Sequence, residues 1–234
     1  MHDSNSRSPL VRRSFLSRMG VGVAALSVAG ASAPASAQRA QAATWQPRRH
    51  AEDDWYDLPK GGHRFVIDST TPDGAGAAML YANNYFVANK AGYRLEPGDL
   101  AIVIVLRHFS TPFAYNDSMW AKYGADISEM LKFSDPKTKQ AATINVYNSP
   151  AYGLSLPNFG TTVDALVKLN VQFAVCAMAT RFFAGALAEK THGDAERIYQ
   201  ELAANLIPNS HMAPAGIVAV NRAQERGYSF AYAG

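Results

Sequence analysis

The sequence predicts an α/β domain built on an open, mainly parallel sheet, and three observations carry that reading. Leu100 to Leu106 is an unbroken apolar run, the pattern of a strand covered on both faces. From Gly62 onward, short apolar runs alternate with stretches of helical periodicity. One helical stretch separates the first two runs, which is the connection a right-handed parallel crossover needs.

Phe65-Val66-Ile67 forms the first strand. The helix after it is opened by Thr71-Pro72-Asp73, carries Met79, Leu80, Asn83, Phe86, Val87 and Ala91 largely on one stripe, and stops at Gly92. Leu100–Leu106 is the second strand. Residues 133–159 mix charged positions with the turn-rich Asn148-Ser149-Pro150 and Leu156-Pro157-Asn158, and read as an insertion or long covering loop. Thr161-Thr162-Val163-Asp164 starts a helix that leads into a third strand from Val171 to Ala177. Helical stretches at Thr180–Lys190 and Asp194–Asn205 follow, then a short fourth strand around Leu206-Ile207. Pro214 and Gly227 bracket a final helix, and Tyr228 to Tyr232 forms an edge strand.

Ahead of this domain lie two segments of different character. Arg12-Arg13-Ser14-Phe15-Leu16 precedes a mild apolar run from Met19 to Ala31 and ends in Ala35-Ser36-Ala37, the order of an export signal of the twin-arginine (Tat) class. The run is too short and too rich in Gly and Ser for a membrane anchor. Cleavage after Ala37 therefore predicts a periplasmic protein with no stable membrane insertion. Residues 38–62 are polar and read as an extended lead-in or linker that Trp45, Trp55 and Tyr56 are placed to pin. Residues 1–37 carry the whole net charge of +3, so the rest is close to neutral and gives no electrostatic reason to expect nucleic acid. With one cysteine, Cys176, no intramolecular disulfide can form.

In an open parallel sheet the functional crevice lies beyond the carboxyl ends of the strands. Thr70–Gly76, Arg107–Asn116 and Cys176–Thr180 belong to that edge, and Asn209–Met212 joins them if the fourth strand forms. Cys176, His108 and His211 are thus expected to converge. A cysteine at a strand-to-helix junction faces backbone N–H groups and the positive end of a helix dipole, which favours thiolate over thiol; its alternative role is that of a small buried hydrophobe. His108 is placed either to manage a proton or to brace its loop. Gly74-Ala75-Gly76 starts like a dinucleotide loop, but Met79 stands where the third glycine belongs, and a tight turn accounts for the pair. The histidines show no metal-ligand spacing, and neither metal nor cofactor is expected.

Leu106 to Asp117 with Trp120-Ala121-Lys122-Tyr123-Gly124, then Phe173 to Ala177, then Pro214 to Val218 with Gln224 to Tyr228, resemble the DsrE/DsrF-like family in order across residues 63–234. The resemblance implies a three-layer α/β/α domain of about five strands, DsrE/YchN-like, assembled as a homo-oligomer, trimer or hexamer. In sulfur-relay members a cysteine after a central strand carries sulfur as a persulfide, and Cys176 stands at that position. That reading makes the chain a sulfurtransferase or sulfur carrier with a sulfur donor or acceptor protein as partner, with Cys176 and His108 catalytic and Gly74, Gly76, Asn116 and His211 binding. Two alternatives stay open. One is a small-molecule-binding protein using loops around Phe109, Phe113, Tyr115, Trp120 and Tyr152; the other is a structural subunit that only oligomerises.

Overall fold

The computed structural model describes residues 46–234, and the twin-arginine segment and Trp45 lie outside them. Five strands form one all-parallel sheet: β1 (His63–Ser69), β2 (Leu100–Leu106), β3 (Gln172–Cys176), β4 (Ser210–Ala213) and β5 (Ser229–Ala233), in the order β4-β3-β2-β1-β5. The helices are α1 (Pro72–Tyr93), α2 (Asp117–Leu131), α3 (Val163–Lys168), α4 (Ala177–Thr191), α5 (Ala195–Ala204) and α6 (Gly216–Glu225). The expected α/β architecture in three layers is what the chain adopts.

β2 sits at the centre, and all seven of its residues are buried. Alternation then divides it: Leu100, Ile102, Ile104 and Leu106 enter one apolar core with α1 to α5, while Ala101, Val103 and Val105 enter a second with α6. The second core is thinner. It is completed by a 3-10 helix at Ala51–Asp57, whose Tyr56 is fully buried and donates its hydroxyl to Ala219 O at 2.9 Å. Trp55 stacks on His211, and Asp57 pairs with Arg64 at 2.8 Å. This part of the lead-in is packed against the domain rather than solvated, because its aromatic side chains cover sheet surface that α6 leaves open.

Several elements differ from the sequence reading. α2 was not expected; its interior Gly124 lowers helix propensity, and the structure explains the glycine, since a Cβ there would overlap the carbonyl oxygen of Ala142. The fourth strand is Ser210–Ala213, not Leu206-Ile207; Leu206 makes only an isolated antiparallel bridge with Tyr115. Residues 133–159 hold two 3-10 segments, Val146–Asn148 and Pro150–Ser155, and drape over the larger core. The buried Asn145 anchors them by donating to Phe113 O at 2.7 Å and Tyr115 O at 3.0 Å.

Candidate functional site

Cys176 is the last residue of β3 and the N-cap of α4, so the chain turns from strand to helix at the thiol. Its Sγ accepts a hydrogen bond from the Ala179 amide at 3.4 Å, taking the place a serine or aspartate oxygen usually fills at this position. The residue is 6% exposed. It forms part of the lining of a cavity of about 390 Å³ at the carboxyl edge of the sheet.

Three elements wall that cavity. Met178, Ala179 and Phe182 come from the first turns of α4, Arg107, His108 and Phe109 from the loop after β2, and Ala215, Gly216 and Ile217 from the start of α6. The two central strands thus deliver Cys176 and His108 to one space. His108 is exposed, adopts a left-handed φ of 57° and stacks on Phe109 at 4.4 Å between ring centroids. A histidine at positive φ is uncommon, and the neighbouring bonds account for it: Ser110 Oγ accepts from the Arg107 amide at 2.9 Å, and Phe109 N donates to Thr70 O at 3.0 Å. The loop is thereby tied to the end of β1.

Arg107 is held by a buried carboxylate. Its Nε and Nη2 donate to the two Asp68 oxygens, both at 2.8 Å, and Asp68 is 2% exposed within β1. These hydrogen bonds keep the guanidinium more firmly protonated than a free one. Its aliphatic stem lies against α6, where Gly216 leaves no room for a Cβ.

Four other candidate residues are employed elsewhere. Gly74 is packed under the carbonyl of Ala233, and a Cβ on Gly76 would lie 2.7 Å from the Tyr147 hydroxyl, so both glycines admit protein neighbours rather than a ligand. Asn116 is the N-cap of α2, accepting from Ser118 N at 3.1 Å and Met119 N at 3.3 Å. His211 lies within β4 opposite Ala174, stacked on Trp55, with Nε2 2.9 Å from Gln172 Oε1; burial lowers its pKa. Of the aromatic residues proposed for a binding loop, Phe113, Tyr115, Trp120 and Tyr152 are core residues and only Phe109 reaches the cavity. Sequence reasoning placed Arg107 on the functional edge without giving it a role, and it did not put residues 215–217 in the site. A sign of the cavity did exist in Met178 and Phe182, an apolar pair one turn apart on a helix whose inward face was already supplied by Phe183 and Leu187.

No family model matches the chain, and no curated protein matches it. Among solved structures it is similar to a protein of unknown function, MTH1491 from Methanobacterium thermoautotrophicum, at 15% identity and a TM-score of 0.33, covering 73% of this chain and 98% of that one. The chemistry is therefore read from the cavity alone. Among the described residues, no group of three or more His, Cys, Asp or Glu is placed to hold a metal ion, and no helix is long and apolar enough to cross a membrane.

Proposed function

We propose that this chain is an exported DsrE-like protein that binds or transfers sulfane sulfur as a persulfide on Cys176. The observation that supports it is the shared cavity: the chain's one thiol, capped by an amide at a helix N-terminus, opens into the same space as an exposed histidine and a guanidinium. In the reaction the Cys176 thiolate attacks the outer sulfur of a donor R–S–SH. The donor S–S bond breaks, R–S⁻ leaves with the electron pair, and Cys176–S–SH forms. A nucleophilic acceptor then removes the outer sulfur and regenerates the thiolate, with His108 exchanging protons at the cavity mouth. Export by the twin-arginine route to the periplasm and assembly into a homo-oligomer belong to the same proposal.

Mass spectrometry of purified protein exposed to polysulfide tests it. A gain of about 32 Da, one sulfur atom, confined to Cys176 is the expected result, and an unmodified Cys176 refutes it. The apolar walls favour one rival, a small-molecule-binding protein in which Cys176 merely packs; there, ligand binding survives without any sulfur loading.

A further inference from the structure

Resting on the persulfide reading of Cys176, we infer that the sulfur donor is a low-molecular-mass organic persulfide with an uncharged, apolar body, and not an inorganic sulfur oxyanion. The cavity volume of about 390 Å³ lies in the range of small-molecule sites. Its walls are mostly apolar, and three of its large apolar side chains are exposed at once: Met178 at 68%, Phe182 at 59% and Ile217 at 61%. They come from the first turns of two helices, α4 and α6, whose N-terminal ends both reach the cavity. Exposed apolar side chains gathered around one cavity mark a surface that an apolar ligand covers.

The electrostatics point the same way. Among the described residues, Arg107 is the one fixed cation in the lining, and the buried Asp68 carboxylate already neutralises it through two hydrogen bonds. A dianion such as thiosulfate would give up its hydration to enter an apolar space where the N-terminal ends of α4 and α6 offer only partial positive charge, and that loss is large. Among the described residues, no carboxylate lines the cavity to favour a cationic donor. An apolar R group against Phe182, Met178 and Ile217 instead leaves the S–SH end toward Cys176. Transfer then needs no outside oxidant: the donor is reduced to R–S⁻, which takes a proton from water, while Cys176 is raised to the persulfide level with the original proton still on the outer sulfur.

Two measurements on the full chain test this. In the first, wild-type protein is titrated with benzyl methyl sulfide, an unreactive neutral thioether, and compared with Phe182→Lys and Ile217→Lys, whose folding is checked by circular dichroism. Saturable binding is expected, weakened about tenfold in each variant. In the second, loading of Cys176 is timed by mass spectrometry with benzyl hydropersulfide, thiosulfate or a persulfidated protein as donor at equal concentration. Loading from benzyl hydropersulfide is expected to be at least about tenfold faster than from thiosulfate. Failure of the thioether to bind, equal or faster loading from thiosulfate, or loading from the protein donor alone overturns the inference while the persulfide reading stands. Thioether binding with no loading from any donor overturns both and leaves the binding-protein rival.

Discussion

A Cβ on Gly216 would overlap the Cβ of Arg107 and lie 2.7 Å from its Cδ, so the first turn of α6 and the arginine stem occupy adjoining space with none to spare. The overlapping atom is the root of the side chain, not a mobile tip. Gly216→Ala is therefore expected to push α6 or the 107–109 loop away, at a cost of about 1–3 kcal/mol. Urea denaturation reads the loss. Gly62→Ala, where an added Cβ meets nothing within 4 Å, is the control and should change stability little.

Cys176 offers a second test, since an N-cap sulfur can be replaced without losing the cap. Cys176→Ser should fold with unchanged or slightly higher thermal stability, because a hydroxyl accepts from the Ala179 amide at least as well as Sγ does. Iodoacetamide should alkylate native wild-type protein near neutral pH through the cavity. Labelling only after denaturation would mean an inert, packed thiol.

Val103 is fully buried in the middle of β2, facing the thinner core. Val103→Asp places a carboxylate there without a partner, at a cost of several kcal/mol that a domain of ordinary stability cannot absorb. Insoluble expression is expected, and a normal melting temperature would contradict the packing.

Asp135 gives the covering loop a pH dependence. Burial pushes its carboxyl up, but bonds donated by the Tyr152 hydroxyl and the Thr138 and Lys137 amides outweigh this and hold it below its ordinary value of 3.8. The stabilisation is complete above that ordinary value and is lost as pH falls through the lower, folded one. From about pH 6 to about pH 3, wild type should therefore lose more melting temperature than Asp135→Asn, which starts roughly 1–2 kcal/mol less stable. Parallel losses in the two proteins would exclude Asp135 as a source.

The proposed export route predicts that replacing Arg12 and Arg13 by Lys holds the folded precursor in the cytoplasm, as cell fractionation would detect. Unchanged periplasmic levels would remove the twin-arginine assignment.

What was legible in the sequence is what local pattern encodes. Leu100–Leu106 announces a central strand because both of its faces are apolar, and Thr71-Pro72 announces the start of α1, where Thr71 accepts from Gly74 N at 2.9 Å. β4 was misplaced because Ser210–Ala213 is a half-buried edge strand with little apolar signal, whereas Leu206-Ile207 is apolar for other packing reasons. Cys176 and His108 were found as residues at the ends of strands. Arg107 was placed on the same edge but without a role, and Gly216 and Ile217 were not found, because their meeting with it depends on the start of α6 reaching the same cavity, which no spacing along the chain reveals. Asn116 caps α2, a role that Asn-Asp-Ser ahead of a helix already spells as a capping pattern.

The pairing of β1 with β5 has a consequence for how this molecule comes into being. Ser229 Oγ donates to Arg64 O across 165 residues of chain, so one edge of β1 stays bare until the chain has been made through Ala233. Closing so long a loop is slow, and an uncovered strand edge is a template for pairing with another chain. Emergence of β5 therefore sets the earliest moment at which this edge of the nascent protein is safe from its own copies, and a polypeptide cut short before Ser229 would never reach it.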